Sequence, residues 1–458
     1  MRLHFYGGAK AVTGVNYLLE TERVKILVDC GLFQGERELE KKNSESFAYL
    51  PDQIDAVIVS HSHLDHVGRL PQLVRAGFRG KILATPPTID FTRLILEDSA
   101  HVLEEKARKA GVAPLFAKLD VDEVMRRFES VDYYQKTEVA SGISLTFHDA
   151  GHILGSAIME LEADGKKIVF SGDLGNPPAP LLRPPDFITS ADYVLVESTY
   201  GDKNHEPPQQ CKELIENVIE DVIARQGVLL IPSFAMERTQ QLLYHLNDLV
   251  EHQRIPPIPV YIDSPLASRI TEVYKKYPQY YNKETIFKIK SGDDIFKFPG
   301  LHFTPTTKES KKINEVTPPK IIIAGSGMSQ GGRIVHHEAR YLSDPQNTLL
   351  AVTYQAEGTL GKLLVDGAKK VEILDQEVEV RARIEKISGY SAHADQRFLM
   401  KWLRNFQKPC YGEPCQALKK IFVVQGEEKA IKTLAGLIRD ELGIEVDIPS
   451  IGETAELE

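Results

Sequence analysis

The feature that most constrains this chain is a cluster of metal-binding residue types directly after a short apolar run. Three histidines and an aspartate lie between residues 61 and 66, and the apolar run occupies residues 54–60. On an extended backbone, side chains two positions apart point the same way, so His61 and His63 can face one point. Once the chain turns into a helix, Asp65 and His66 can face a second point. Imidazole and carboxylate are ligands for Zn²⁺, with Mn²⁺ or Fe as alternatives. The cluster therefore predicts a metal site after a buried strand.

Two glycine-framed turns further along the chain offer additional ligands. His152 stands between Gly151 and Gly155, and Asp173 follows the predicted strand at 167–171. A carboxylate at a strand end can bridge two metals, and metals about 3.5–4 Å apart stabilise both the attacking and the leaving oxygen of a phosphate displacement. With the first cluster, these turns predict a pair of metal sites.

Charge and composition limit the class of protein. The 458 residues carry 55 Lys and Arg against 65 Asp and Glu, a net charge of −10, and 42% of residues are hydrophobic. Such a chain is globular rather than disordered, and its length allows two or three domains. The acidic balance argues against a wholly basic nucleic-acid-binding domain. It is compatible with a nucleic-acid enzyme whose positive charge is local, for instance supplied by bound metal.

The termini and the cysteines bear on the compartment. The first residues lack the apolar stretch of a signal peptide, and no run approaches the roughly 18 apolar residues that a membrane helix needs. Four cysteines are too few for a disulfide framework in a chain of this length. We therefore expect a cytoplasmic protein with no membrane partner. Cys410 and Cys415 are interpreted as part of a reduced surface loop, the alternatives being half a metal site or a labile disulfide.

The pattern of predicted elements changes twice along the chain. Strands, then helices, then strands up to about residue 202 predict a layered sheet with helices on its outer faces. Helices and strands then alternate, as in parallel α/β units, until about residue 386, where a strand–turn–helix pattern resumes. The Lys-rich stretch 282–315 is expected to be a mobile excursion, and the last six residues are expected to be a frayed tail.

The order of the motifs resembles the β-CASP branch of the metallo-β-lactamase superfamily, and within it the RNA-processing nucleases related to the cleavage and polyadenylation endonuclease. The resemblance covers nearly the whole chain. It implies an αββα sandwich with an inserted β-CASP α/β domain, and domains at 1–202, 203–385 and 386–458. The segments that carry it are 61–66, 151–155, 171–175, 196–202, 232–235, 263–267, 327–332 and 391–395.

The resemblance also implies roles for individual residues. One zinc would be held by three histidines, a second by an aspartate and a fourth histidine, and another aspartate would bridge them. A hydroxide held between the metals would be the nucleophile, and a carboxylate–imidazole pair would protonate the leaving oxygen. The first-zinc ligands are His61, His63 and His152; the second-zinc ligands are Asp65 and His66; the bridge is Asp173; the pair is Glu197 and His393. Asp65, Asp173, Glu197 and His393 are thus the predicted catalytic residues.

One position departs from the family pattern. RNA-acting members carry a histidine after a late buried strand as the last ligand of the second zinc, and here that position is Gln425. A neutral amide oxygen is a poorer zinc ligand than imidazole. We therefore expect one or two zinc ions, the second weakly held, with Mn²⁺ as an alternative metal.

Contacts to substrate are predicted at four further positions. Ser233 lies at a predicted helix start, where free N–H groups favour anions. Arg238 follows on that helix, and a glycine-rich turn at 325–332 precedes His336. Ser391 belongs to the motif that contains His393.

These observations predict a zinc-dependent ribonuclease that cleaves single-stranded RNA as an endonuclease, a 5′ exonuclease or both, in RNA processing or decay. Two alternatives stay open at this point. One is a DNA nuclease on the same scaffold, since DNA-acting relatives of the Artemis type also lack the histidine at the Gln425 position. The other is a weakly active or non-catalytic scaffold that binds RNA. A homodimer is also left open.

Overall fold

A computed structural model describes residues 1–35, 37–206, 208–356, 358–387, 389–407 and 418–458. Cys410 and Cys415 lie outside these ranges. The chain forms two compact units. The first contains Met1–Pro177, Arg183–Asn204 and His393–Glu458, and the second contains Pro178–Leu182 and His205–Ala392. The domain boundaries predicted from the sequence stay a prediction.

The strands, numbered along the chain, are β1 (Arg2–Gly7), β2 (Asn16–Glu20), β3 (Lys25–Val28), β4 (Ala56–Ile58), β5 (Lys81–Ala84), β6 (Phe128–Ser130), β7 (Thr137–Ala140), β8 (Ile143–Asp149), β9 (Ala157–Ala163), β10 (Lys166–Phe170), β11 (Tyr193–Glu197), β12 (Val228–Pro232), β13 (Val260–Asp263), β14 (Leu301–Phe303), β15 (Lys320–Ala324), β16 (Thr348–Ala351), β17 (Lys370–Ile373), β18 (Gln376–Glu379), β19 (Arg383–Lys386), β20 (Lys420–Val424), β21 (Glu445–Asp447) and β22 (Thr454–Glu456).

The α-helices are α1 (Arg37–Lys41), α2 (Leu64–Val67), α3 (Leu70–Arg75), α4 (Pro86–Ala110), α5 (Lys118–Met125), α6 (Pro208–Ala224), α7 (Arg238–Glu251), α8 (Pro265–Lys276), α9 (Lys283–Lys290), α10 (Thr307–Lys312), α11 (Ile334–Tyr341), α12 (Leu360–Val365), α13 (Gln396–Arg404) and α14 (Glu428–Leu442).

The first unit is built on two sheets. Among the described residues they run in the orders β22-β1-β2-β3-β4-β5-β6 and β21-β20-β11-β10-β9-β8-β7. Alternate residues of β1 and β8 are buried, as expected for strands with one face in a core. The buried faces of the two sheets share one core, in which the rings of Phe5 and Phe422 lie 5.5 Å apart.

Helices cover both outer faces of this sandwich. Phe116 and Leu73 pack with Val57 on the outer face of the first sheet. Trp402 on α13 and Leu434 on α14 pack on the outer face of the second. The unit is therefore a four-layer αββα sandwich, and the predicted fold class is confirmed.

The second unit carries a six-stranded sheet in the order β14-β13-β15-β12-β16-β19, together with the β17–β18 hairpin. Neighbouring strands of the six-stranded sheet are parallel. All five residues of β12 and of β15 are buried, as expected for parallel strands with both faces covered. This confirms the prediction of parallel α/β units in the middle of the chain.

The Lys-rich stretch at 282–315 was wrongly expected to be a mobile excursion. It forms α9, β14 and α10, and the amide of Asn282 donates to the carbonyl of Pro180 at 3.0 Å while its oxygen caps α9. The apolar residues Ile295 and Phe296 are buried. Lysine is the commonest residue of this segment, but the buried apolar side chains and the cap fix its fold.

The C-terminus was also wrongly expected to fray. Strand β22 pairs antiparallel with β1, and Leu457 N–H donates to the carbonyl of Met1 at 2.9 Å. Leu457 is only 2% exposed and belongs to the core between the two sheets. A single apolar side chain among acidic neighbours thus anchors this end of the chain.

In the described part of the chain, no helix has the length and apolar character needed to cross a membrane.

Candidate metal and catalytic site

The ligand-rich segment after β4 is held in place by Asp29. The Asp29 carboxylate accepts hydrogen bonds from the Ser60 N–H at 2.8 Å and the Ser60 hydroxyl at 2.7 Å. It also lies 2.7 Å from His66 Nδ1. Gly31 brings the neighbouring backbone close, because a Cβ at this position would lie 1.5 Å from the carbonyl oxygen of Asp65. A buried carboxylate and a close backbone contact therefore fix this turn.

Four of the predicted ligands converge on one point. Each of them offers an atom within 4.8 Å of the ligand atoms of the other three. His61 Nε2 lies 3.0 Å from His63 Nδ1, and His152 Nε2 lies 3.2 Å from that same atom. Asp173 Oδ2 is 3.4 Å from His61 Nε2. The structure thus brings together His61, His63, His152 and Asp173 from three separate segments of the first unit.

The chemistry of this group suits a cation. Burial, with the neighbouring His61, lowers the pKa of His63 well below its usual value. Burial, with the neighbouring His393, does the same to the pKa of His152. Both rings are therefore neutral near pH 7, and a neutral imidazole has one nitrogen lone pair that can bind a metal. Three imidazoles and a carboxylate that converge on one point form a donor set that fits a metal.

Asp173 lies at the centre of the site. Burial raises the pKa of its carboxyl group, but the rings of His66 and His61 outweigh burial and hold the pKa well below its usual range. Its Oδ1 lies 3.4 Å from His66 Nε2, and its Oδ2 lies 3.6 Å from His152 Nε2. An ionised carboxylate thus lies between the two predicted ligand sets.

The second ligand set has a different neighbour. Asp65 Oδ2 lies 3.7 Å from His66 Nε2, and Asp65 keeps 19% of its side chain exposed. The side-chain nitrogen of Gln425 lies 2.8 Å from Asp173 Oδ1 and 3.2 Å from His66 Nε2. The sequence indicated Gln425 as a departure from the family pattern, and the structure places its amide in contact with both of these groups.

A carboxylate–imidazole pair adjoins the first ligand set. Glu197 is fully buried at the end of β11, and its Oε1 accepts a hydrogen bond from the Leu174 N–H at 2.6 Å. Its Oε2 lies 3.1 Å from His393 Nδ1. His393 Nδ1 lies 3.9 Å from Asp173 Oδ2, and one quarter of the His393 side chain is exposed. The pair therefore joins the buried site to solvent.

The Glu197 carboxylate also sets the charge of its partner. Burial lowers the pKa of His393, but Glu197 outweighs burial, so the pKa rises to about 9. In the metal-free chain the imidazole is thus protonated at neutral pH, as a proton donor must be.

The four predicted substrate contacts lie in the second unit. Ser233 follows β12 and is buried, with its Oγ 3.1 Å from the Thr239 hydroxyl. Arg238 begins α7, is 5% exposed, and donates to Gln241. His336 on α11 is exposed and Ser391 is half-buried.

Asp263, at the end of β13, is the centre of a second polar cluster; it belongs to one of the family segments, but the sequence did not indicate a role for it. Its carboxylate accepts from Arg333 at 2.7 Å and Ser310 at 2.7 Å, and it lies 2.8 Å from His337 Nε2. Burial raises the Asp263 pKa, but the hydrogen bonds of His337 and Ser310 outweigh burial and bring it to about 2. An aspartate ending a buried strand was the available signal. The same signal pointed to Asp29, which the sequence analysis also passed over.

Comparison with family models gives three matches along the chain. A metallo-β-lactamase superfamily domain matches residues 18–189, a β-CASP domain matches 239–364, and a Zn-dependent metallo-hydrolase RNA specificity domain matches 377–449. The chain belongs to the β-CASP branch of the metallo-β-lactamase superfamily. It is a metal-dependent hydrolase, and the resemblance seen in the sequence is confirmed.

Relatives extend over the full chain. A ribonuclease of Thermus thermophilus is 37% identical over 99% of both chains. An RNase J-like protein of Methanocaldococcus jannaschii is 32% identical over 98% of both. The transcription termination factor FttA of Methanosarcina mazei is 32% identical over 100% of this chain and 72% of its own. A crystal structure of an Enterococcus faecalis protein of unknown function shares the fold, with a TM-score of 0.56 and 11% identity.

Proposed function

We propose that this β-CASP protein is a zinc-dependent ribonuclease that hydrolyses phosphodiester bonds of single-stranded RNA. The observation that carries the proposal is the contact between two groups of side chains. The set of His61, His63, His152 and Asp173 lies directly beside the Glu197–His393 pair, because Asp173 is close to both. The Thermus relative is named a ribonuclease, and a domain described by RNA specificity matches the C-terminal part of the chain.

The residues that would hold the first metal are His61, His63, His152 and Asp173. Three imidazoles and a carboxylate are a typical donor set for Zn²⁺. When bound, such a metal lowers the pKa of water and polarises a phosphoryl oxygen. Asp65 and His66 are the predicted ligands of a second metal, and Asp173 is the predicted bridge.

The protein's own side chains hold and deliver the proton for the leaving group. The Leu174 N–H donates to the Glu197 carboxylate, and that carboxylate positions His393 through Nδ1. That arrangement leaves Nε2 as the atom that delivers a proton to the leaving oxygen of the cleaved strand. Glu197 stabilises the protonated ring, and its burial keeps water from competing for Nδ1. We therefore assign proton donation to His393 and the positioning of His393 to Glu197.

Several finer statements are proposals that rest on the sequence. Ser233, Arg238, His336 and Ser391 are proposed to contact RNA, although the burial of Ser233 and Arg238 requires side-chain movement for direct contact. Cleavage is proposed to be endonucleolytic, from the 5′ end, or both. The cytoplasmic location and the homodimer also stay predictions.

The alternatives left open by the sequence are not favoured. All eight predicted metal-ligand and proton-transfer side chains lie in or beside one site, as they would in an active enzyme rather than a scaffold. A relative that covers the whole chain is named a ribonuclease, which favours RNA over DNA.

The test compares single-stranded RNA and DNA of the same sequence, with the purified protein before and after chelation. We expect RNA cleavage that chelation abolishes and Zn²⁺ restores. His61→Ala should lose the tightly bound metal and the cleavage together. His302→Ala, at a histidine in the second unit, is the matched control and should keep both. Cleavage of DNA but not RNA, or no cleavage at any metal concentration, would refute the proposal.

A further inference from the structure

Two aromatic residues are exposed at one edge of the six-stranded sheet of the second unit. Phe234, two residues after β12, is 44% exposed, and Tyr354, three residues after β16, is 50% exposed. Strands β12 and β16 are parallel neighbours, with Leu230 opposite Leu349, so both aromatic residues follow the carboxyl ends of adjacent strands. Open α/β sheets bind their ligands outside these ends. The two residues therefore lie where a sheet of this kind forms a binding surface.

The Phe234 ring packs against the backbone of a glycine. A Cβ on Gly327 would lie 3.1 Å from Phe234 Cδ2 and 3.2 Å from Phe234 Cε2, so the absence of a side chain at Gly327 lets the ring lie close to the main chain. The Phe234 carbonyl accepts a hydrogen bond from the Thr239 hydroxyl at 2.7 Å. One edge of the ring is thus supported by the protein, while almost half of the residue stays exposed.

Hydrogen bonds join the glycine-rich turn at 325–332 to the turn that holds Tyr354. The Gly327 carbonyl accepts from the Thr353 hydroxyl at 2.7 Å and from the Gln355 side-chain nitrogen at 2.9 Å. The two residues that flank Tyr354 therefore fix the glycine on which the Phe234 ring packs. Groups that are ordered before binding lose less conformational entropy when a ligand binds.

The stretches around the two rings lack negative charge. Residues 233–236, 325–332 and 353–356 include no Asp or Glu, although the chain as a whole has a net charge of −10. A nucleic-acid strand at this edge would therefore meet no carboxylate from these stretches, which limits repulsion between like charges. Exposed aromatic rings beside polar groups are the chemistry that recognises unstacked bases of single strands.

We propose that Phe234 and Tyr354 form a surface on which bases of single-stranded RNA stack. This inference rests on the proposed ribonuclease function, and it names the part of the substrate that the second unit binds. Stacking on an aromatic ring accepts every base, because each base has a π-face. It also adds affinity without contact to phosphate, so its contribution does not fall with salt as phosphate contacts do.

The experiment measures the affinity of the full-length protein for a labelled single-stranded RNA, with chelator present to prevent cleavage. We expect Phe234→Ala to weaken binding about 5- to 150-fold, the effect of losing one stacked base. Tyr354→Ala should weaken binding as well, and neither variant should change the dependence of affinity on salt. Phe287→Ala is the matched control and should bind like wild type, because Phe287 is 74% exposed but lies on α9 rather than at this edge.

Two further comparisons separate stacking from other contacts. Phe234→Leu keeps an apolar side chain without a π-face and should bind as weakly as Phe234→Ala, whereas Phe234→Trp should retain the wild-type affinity. An abasic ribose–phosphate oligomer has no base to stack, so it should bind the wild-type protein and Phe234→Ala equally.

Unchanged RNA affinity in folded Phe234→Ala would overturn the inference, and so would a Phe234→Leu variant that binds as tightly as wild type. Unchanged affinity in Tyr354→Ala would overturn the part that concerns Tyr354. If Phe234→Ala does not fold, the comparison of Phe234→Leu with Phe234→Trp decides. A wild-type protein that binds no RNA would refute the inference together with RNA as the substrate. RNA binding that depends on Phe234 without any cleavage would refute only the ribonuclease proposal.

Discussion

Asp173 connects every functional group of the first unit. It contacts the first ligand set, His66, the Gln425 amide and, through the longest contact, His393. A change at any of these neighbours alters the hydrogen bonds of the same carboxylate. Residues that share a partner are energetically coupled. The effects of two substitutions in the site on stability or rate should therefore not be additive.

Glu197→Gln separates proton transfer from metal binding. The amide keeps the size of the side chain but removes the negative charge that stabilises protonated His393. We expect the single-turnover rate of RNA cleavage to fall by about 10²–10⁴-fold, the usual contribution of a positioned proton donor. The zinc content should not change. An unchanged rate would show that the pair takes no part in the reaction.

Glu338 gives the second unit a pH-dependent stability. It is fully buried on α11, and burial raises its pKa to about 7, although Ser329 donates to one of its oxygens. In the unfolded chain the carboxyl loses its proton near pH 4.3. The folded state therefore binds an extra proton between about pH 4.3 and about pH 7, and the free energy of unfolding falls as the pH rises through this window.

Glutamine cannot ionise. We therefore expect Glu338→Gln to remove the fall in the free energy of unfolding between about pH 4.3 and about pH 7. Relative to wild type, the variant should be more stable at pH 8 by about 2–3 kcal/mol, and the difference should vanish toward pH 4. Urea unfolding at the two pH values measures it. Glu385→Gln, at an exposed position, is the control. Equal pH dependence in all three proteins would contradict the argument.

At the level of elements, Leu457, directly after β22, allows a test of how much the C-terminal segment contributes to stability. Leu457 packs in the core between the two sheets, so Leu457→Ala should leave a cavity and lower the free energy of unfolding by about 2–4 kcal/mol. Glu456→Ala, at the exposed neighbouring position, should change it by less than about 0.5 kcal/mol. Thermal or urea unfolding of the two variants should differ clearly. Similar stabilities would mean that the strand contributes little.

The sequence predicted the elements with strong periodicity and missed those held by a few contacts. Strands such as Tyr193–Glu197 and Val228–Pro232 are continuous apolar runs, so their bounds could be predicted closely. The C-terminal strand β22 is followed by one buried apolar side chain, Leu457, and the segment after Asn282 is fixed by a cap and a small core. Neither segment has enough apolar residues at regular spacing to be recognised among its charged neighbours.

The candidate site also contains residues that the sequence could predict and residues that it could not. Ligands within one short segment, such as His61 and His63, reveal themselves by spacing. The roles of Asp29, Asp263 and the Gln425 amide depend on partners far away in the chain, which spacing does not show. The resemblance to a family supplied the order of the motifs, and the structure supplied the contacts among them.

For the whole molecule, the net charge of −10 limits how RNA can bind. We expect only a few phosphates to be neutralised by local positive charge. For single strands the logarithm of the binding constant falls with the logarithm of the salt concentration by about 0.7 per phosphate, so a slope of about −2 is expected. Titration of labelled RNA at several salt concentrations measures it. A slope near −7, as for ten phosphates, would contradict local binding.

The order of the site residues along the chain determines which part of the site is synthesised first. Strand β11 pairs with β20, and Glu197 and His393 are 196 residues apart, with nearly the whole second unit between them. All four side chains of the first ligand set precede residue 174, so a ribosome has released them long before it reaches the histidine of the proton-transfer pair. Because the first unit includes His393–Glu458, a nascent chain gains its proton donor, and the last strands of both sheets of that unit, only near the end of translation.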